Sequence, residues 1–440
     1  MPFSLTTEQI LAMAPDAPSA KAGRSLASRS KWVTLGANDQ ALWGECQGSG
    51  KAPYQVQVDL ATGDLAYRCS CPSRKQPCKH ILGLLLLRAT EADAFATTTP
   101  PDWVADWLAK RAQAAQKRSE QHEQRQVSDP TAQAKRAIAR EAKIRAGLQE
   151  LEQWLYDLIR QGVADAQSRP AAFWFAPASR MIDAQAPGVA RLLRELAGIP
   201  NSGPGWQERL LEHLGRLHLL IEGFKRLETL PPATQADIRT AIGLTIREDD
   251  LRDEPGIRDH WLVLGQRVET EDTLTVQRTW LWGQTSNRPA LVLSFAAGNQ
   301  PLDRSLLPDT SLEADLVFYP GAVPLRALVK TRHSPVTTLD PSVLPGMPTI
   351  HAASATYAAA LAAQPWLERY PFLLRGIDMV YRDRSWAVRD AEGYTLACPP
   401  HFAAGWQLLA RSGGHPSVVA GEWDGTWLLP LNLWTLEECV

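Results

Sequence analysis

Cysteine is scarce, with six in 440 residues, too few for the disulfide frameworks that hold small secreted domains together. No charge sign dominates either. The 46 Lys and Arg stand against 48 Asp and Glu, a formal net charge of -2, so the chain as a whole is no polyanion-binding sponge and any nucleic-acid site must be local. Long apolar runs are missing. The most hydrophobic stretch, Ile81 to Leu87, is seven residues with Gly83 inside it, far short of the ~20 a membrane helix needs. It reads as a buried helix, and no membrane association is expected. The opening Met1-Pro2-Phe3-Ser4-Leu5-Thr6-Thr7-Glu8 has neither the basic start nor the apolar core of a secretion signal. A cytoplasmic location is therefore expected, where thiols stay reduced and free to bind metal.

What is present is ordinary globular material, 45% hydrophobic and 21% charged, which excludes global disorder. At about 150 residues per domain the length predicts two or three folded units. Thr6 or Thr7 can cap a first helix that stops at Pro15, and a small, Ala/Ser-rich stretch follows. From Lys31 short apolar runs broken by Gly44 and by Gly48-Ser49-Gly50-Lys51 signal strands and turns. Tyr54 to Leu60 alternates strictly, Ala61-Thr62-Gly63-Asp64 turns, and Leu65 to Cys69 returns, which predicts a β-hairpin. Lys79 to Thr90 is helix-length and apolar, and Thr97 to Pro101 breaks the chain.

The expected organisation is an α+β multidomain chain. Residues 1–100 form a finger domain with a ββα core over 40–90, and 101–147 a polar basic helical linker. Residues 148–257 form a helical domain, and 258–440 an α+β domain with an antiparallel sheet. In the linker region, residues 108–150 carry ten Lys and Arg against five Asp and Glu. Trp103 and Trp107, one helical turn apart, mark a docking helix, and Asp129-Pro130 a break. Helical spacing runs through Leu148, Leu151, Trp154, Leu155, Leu158 and Ile159, and again through Leu210, Leu211, Leu214, Leu217, Leu220, Ile221 and Phe224.

One segment carries chemistry: Cys69-Ser70-Cys71-Pro72-Ser73-Arg74-Lys75-Gln76-Pro77-Cys78-Lys79-His80. Three thiolates and one imidazole make the tetrahedral donor set that structural zinc takes, with bonds of roughly 2.0–2.3 Å. Cys69 and Cys71 are two apart at a strand end, so their side chains leave one face. Pro72 and Pro77 restrict the intervening loop. Cys78 and His80 open the Leu-rich helix, where backbone N–H groups and the dipole favour thiolate. The closed donor set leaves no position for water, so no catalytic residue is assigned and the chain is read as no enzyme.

The spacing and its ββα setting resemble the SWIM zinc finger, whose pattern is C-x-C, a variable gap, then C-x-H. Every ligand position is filled, over roughly residues 40 to 90. The resemblance implies one structural Zn²⁺ and a module for contacts with proteins or DNA. For bacterial members it also implies partnership with AAA-type ATPases and von Willebrand factor A-type proteins. The other residues, roughly 350, resemble no enzyme family and read as a lineage-specific extension.

A protein partner is the preferred expectation. The alternative is DNA or RNA contact through Arg68, Arg74, Lys75 and Lys79, since residues 1–90 hold ten Lys and Arg against six Asp and Glu. The same cations would equally stabilise a zinc centre whose net charge is negative. Elsewhere, Cys46 reads as a buried strand thiol. Gly48 to Lys51 fails as a phosphate loop, because Glu45 stands where the first glycine belongs and Ala52 where Ser or Thr would bind Mg²⁺. Cys398 and His401 are separated by two prolines with no oxyanion element. Glu248, Asp249, Asp250, Asp253 and Glu254 lack the order of a calcium loop and read as a solvated turn. Nine of sixteen tryptophans follow residue 260, and Trp280 and Trp282, on one strand face, read as core. His213 and His218 are five apart, off one helical face, and receive no site.

Overall fold

The computed structural model describes residues 5–48, 52–60, 66–73, 75–126, 130–271, 274–297, 302, 305–334 and 336–435, and no side chain at 12, 115 or 118–134. Residues 49–51, the turn expected at 61–64, Asp129 and Arg74 lie outside this description.

The amino-terminal region mixes α and β. Thr6 caps α1 (Thr7–Ala12) in a reciprocal pair with Gln9. The small-residue stretch forms a second helix, α2 (Ala17–Leu26), where Asp16 accepts from the Ser19 N–H at 2.8 Å. Strands β1 (Trp32–Ala37), β2 (Ala41–Cys46), β3 (Tyr54–Asp59) and β4 (Ala66–Cys69) form an antiparallel meander; α3 (Lys79–Thr90) and the short β5 (Ala96–Thr97) follow, β5 lying parallel to β1. The predicted hairpin β3–β4 is thus the edge of a five-stranded sheet. Helix α3 buries Ile81 to Leu87 against Leu42, Val56 and Val58. Its tolerance of glycine has a packing cause: a Cβ on Gly83 would meet Leu26 Cβ at 2.7 Å, and one on Gly23 would meet Leu82 Cβ at 2.7 Å. Helices α2 and α3 touch through these two glycines.

The central region is helical: α4 (Asp102–Gln126), α5 (Pro130–Gln161), α6 (Ala171–Asp183), α7 (Pro187–Leu196), α8 (Trp206–Lys225), α9 (Pro232–Ile242) and α10 (Glu248–Arg252). The expected docking helix is the start of α4, whose Val104 packs with Ala41 and Trp43. Behind them, Arg111 Nε reaches the buried Asp59 Oδ2 at 3.0 Å. The predicted stripes of α5 and α8 meet in one core with α6, α7 and α9. Ile159 and Leu211 are the exceptions, exposed at 49% and 57%, because each follows a buried leucine and sits about 100° further round the helix. The acidic stretch expected as a turn is helix α10, with three carboxylates in its first turn.

The carboxy-terminal region holds two sheets. In the first, β6 (Ile257–Glu271), β7 (Leu274–Gly283), β8 (Pro289–Ala297), β9 (Thr310–Phe318), β10 (Arg326–Arg332) and β11 (Thr337–Thr338) take the order β10-β8-β7-β6-β9-β11, and β10 also pairs with β9. The extra pairing closes five strands into a barrel. Trp261, Leu281, Ala290, Leu312 and Ala327, one from each strand, fill its interior. Every pairing is antiparallel except β8 with β10. The second sheet is antiparallel, β14-β13-β12-β15-β16, from β12 (Tyr370–Arg382), β13 (Ser385–Arg389), β14 (Thr395–Ala397), β15 (Ser417–Trp423) and β16 (Leu428–Thr435). Helices α11 (Ile350–Ala363) and α12 (Gly405–Ser412) pack against it, and Leu262, Leu264 and Trp280 of the barrel join its core. No helix among the described residues is long and apolar enough to cross a membrane.

Candidate metal centre

The four donors come from two elements. Cys69 ends β4 opposite Val56, and the ladder continues one residue further as Ser70 N–H donates to the Gln55 carbonyl at 2.9 Å. That carries Cys71 past the strand end, where its N–H points at Cys69 Sγ at 3.5 Å. Cys78 is the residue before the first turn of α3, with extended backbone (φ -76°, ψ 167°). His80 stands in that first turn, 4% exposed, its ring 4.8 Å from the Tyr54 ring. The connecting loop is anchored outside the site: Lys75 Nζ lies 2.5 Å from Asp16 Oδ2. Lys75, with the Ser19 N–H, holds the Asp16 carboxyl down at about 2.

The donor atoms of Cys69, Cys71, Cys78 and His80 all lie within 4.8 Å of one another. Cys69 Sγ is 3.7 Å and Cys78 Sγ 4.0 Å from His80 Nδ1. A tetrahedron with zinc–ligand bonds of roughly 2.0–2.3 Å has edges of about 3.3–3.8 Å, so the residues fit a zinc ion with little adjustment. The cluster could coordinate a metal, and imidazole with three thiols is the chemistry zinc selects.

Electrostatics agree with a site built for a dication. The hydrogen bond shared with Cys69 lowers the Cys78 thiol to about 4, helped by the His80 ring and the Ile81 amide. That same bond, then burial, pushes Cys69 up, and burial pushes Cys71 up. One negative charge thus settles at the helix start while its neighbours keep their protons. A bound dication would supply the charge that lets all three thiols ionise.

The other sequence candidates separate. Arg68 and Lys79 are exposed beside the site, Lys75 is paired with Asp16, and Arg74 lies outside the described residues. Cys46 is buried in the sheet core, apart from the four donors, and burial raises its thiol. Cys398 is buried in the core of the second carboxy-terminal sheet, where desolvation lifts its thiol to about 12, so it is no nucleophile at neutral pH. Trp280 is 1% exposed and is core; Trp282 is half-buried, its Nε1 on Asn287 Oδ1.

One cluster escaped sequence reasoning. Glu152 of α5 joins His218 and Glu222 of α8, and the i, i+4 spacing of the last two was its only sequence signal. Lys225 Nζ already sits there, 2.5 Å from Glu152 and 2.8 Å from Glu222, which makes it an ion-pair network.

Comparison with known families agrees with the geometry. Residues 54–89 match the SWIM zinc finger, and residues 139–242 match the SWIM-associated four-helix bundle domain. The second match covers α6 to α9 and most of α5, so this part is no lineage-specific extension. Curated proteins and solved structures give no match. With the ligand spacing, the converging donors and both matched segments in one polypeptide, the chain carries a SWIM zinc finger followed by a SWIM-associated helical bundle.

Proposed function

We propose that the chain is a non-enzymatic, cytoplasmic adaptor. In this reading Cys69, Cys71, Cys78 and His80 hold one structural zinc ion, and the finger makes protein–protein contacts. The observation that carries it is the convergence of three thiols and one imidazole between a sheet edge and a helix start. Such a set fills every position of tetrahedral zinc and leaves none for substrate or water. Zinc then clamps β4 to α3 and fixes the surface a partner would read. The resemblance to bacterial SWIM proteins names the partner class, an AAA-type ATPase or a von Willebrand factor A-type protein. Affinity capture with the wild-type chain and with His80→Ala tests it: one such partner should be retained by the first and lost by the second. Retention by both, or by neither, contradicts it.

Nucleic-acid contact at the finger is the second reading, favoured by the exposure of Arg68 and Lys79. Lys75 contributes less, being paired with Asp16. A gel shift that weakens with salt and with Arg68→Ala and Lys79→Ala would support it; salt-independent binding, or none, would retire it.

A further inference from the structure

We infer that the carboxy-terminal barrel carries a binding site for single-stranded nucleic acid, separate from the finger and beyond the function proposed above. The first ground is topology. With β6 to β10 counted as first to fifth, the ring runs first, second, third, fifth, fourth and back to first. The third and fifth strands are parallel and all other neighbours antiparallel. The long β6 shifts register between Val263 and Gly265, pairing with β9 along its first half and with β7 along its second. This is the connectivity of the five-stranded, partly open Greek-key barrel of OB type, which takes oligonucleotides or oligosaccharides across its second and third strands.

A shared fold is no function, so the face must carry the chemistry. β8 and β10 pair only at Leu291–Arg326 and Val292–Ala327. Past that point they part around a cleft of about 550 Å³. The rings of Phe295 and Tyr319 line it with Arg252, Arg326, Lys330 and Arg332, and among the described lining residues Glu248 is the one carboxylate; Arg332 is also held by Ser305. Phe295, on β8 opposite Val276 of β7, is 46% exposed. The Arg326 guanidinium lies 4.1 Å from the Tyr319 ring centroid, and Lys330 Nζ donates to the Glu254 carbonyl at 2.9 Å. Neither interaction neutralises a charge. Among the described residues, no carboxylate lies within ion-pair distance of Arg252, Arg326 or Lys330.

Phe295, Tyr319 and Arg326 also border a second cleft, of about 480 Å³, between β7–β8 and the helical bundle. The two clefts therefore adjoin at these side chains, beside the strands that such barrels use. Cations interleaved with exposed ring faces suit a strand whose phosphates and unstacked bases are both available. A duplex offers Phe295 no free base face, and an acidic peptide would use the cations but not the ring.

Fluorescence anisotropy of the full chain with a labelled oligothymidylate of about 15 nucleotides, titrated from about 50 to 200 mM salt, tests the site. Single strand should bind, more weakly as salt rises, and better than duplex. Phe295→Ala should weaken binding about tenfold with the salt slope unchanged, and Phe295→Trp should restore it. The pair Arg326→Ala and Lys330→Ala should weaken binding and flatten the slope by about 1.4, at about 0.7 for each phosphate no longer neutralised. Arg68→Ala and Lys79→Ala tell the two sites apart: loss of single-strand binding in these finger variants, with Phe295→Ala and the Arg326→Ala, Lys330→Ala pair at wild-type affinity, would place the site at the finger and overturn the inference. No binding at low salt, equal duplex binding, wild-type affinity in Phe295→Ala, or equal competition by polyglutamate would each overturn the inference.

Discussion

Cys69 Sγ, at the end of the edge strand β4, lies 3.7 Å from Nδ1 of His80 in the first turn of α3. Eleven residues of sequence separate them, so a metal bound there closes a loop between an exposed sheet edge and a buried helix. The two sides have unequal support: α3 is packed among apolar side chains for most of its length, while β4, among the described residues, pairs with β3 alone. Removing zinc by chelation, or through His80→Ala, should therefore raise amide hydrogen exchange in β3, β4 and the start of α3 and leave Leu84 to Leu87 protected. Unchanged exchange at β4 would disconnect the metal from the hairpin.

Arg111 is the tie between α4 and the finger sheet. Its partner Asp59 is 2% exposed, so Arg111→Ala takes a charge-assisted hydrogen bond from a buried carboxylate. A loss of about 1–3 kcal/mol is expected in urea unfolding, with zinc content unchanged. Full stability in the variant would mean that the apolar contacts of Val104, Trp103 and Leu108 suffice to dock the helix.

Asp259 of β6 accepts from the amides of His260, Thr285 and Ser286 at 2.6, 3.0 and 2.7 Å, so it organises the β7–β8 turn. Burial pushes its carboxyl up, but hydrogen bonds from Ser286, Thr285 and His260 outweigh it and leave the group below the usual carboxylate range. A carboxylate with a depressed folded-state value contributes stability that is complete above its unfolded value, near 3.9, and is lost as pH falls through the folded value. Asp259→Asn should then be less stable than the wild type by about 1–3 kcal/mol at neutral pH, with the gap narrowing below about pH 4. A pH-independent gap would assign the loss to packing.

Trp280 joins the barrel to the second sheet by donating its Nε1–H to Glu422 Oε2 at 2.9 Å, where Glu422 is 1% exposed. Arg267 and Arg369 reach the other carboxylate oxygen at 3.5 and 3.6 Å. Trp280→Phe keeps an aromatic ring but leaves one buried oxygen without this donor. Calorimetry should show a loss of about 1–3 kcal/mol, whereas a neutral outcome would mean that the arginines alone satisfy the carboxylate.

What the sequence disclosed followed from period and spacing. Alternation found β3, the 3.6-residue repeat found α5 and α8, and the C-x-C and C-x-H pairs named all four donors. What it hid depends on contacts between distant segments. Helix α2 is built of small residues with no apolar stripe, and its place is set by the glycine contacts with α3. The barrel closes because β10 pairs with both β8 and β9, and no local pattern records a strand with two partners. Arg111 reads as one cation in a basic linker until α4 lays it against Asp59. The ion-pair network at Glu152 needed α5 and α8 side by side before its acids met Lys225.

The central claim is that Cys69, Cys71, Cys78 and His80 hold zinc, and metal analysis of the purified full chain tests it most directly. About one zinc per chain is expected, retained in Cys46→Ala and lost or sharply reduced in Cys78→Ser and His80→Ala. A folded wild-type protein purified with zinc present throughout, yet holding none, would contradict the account.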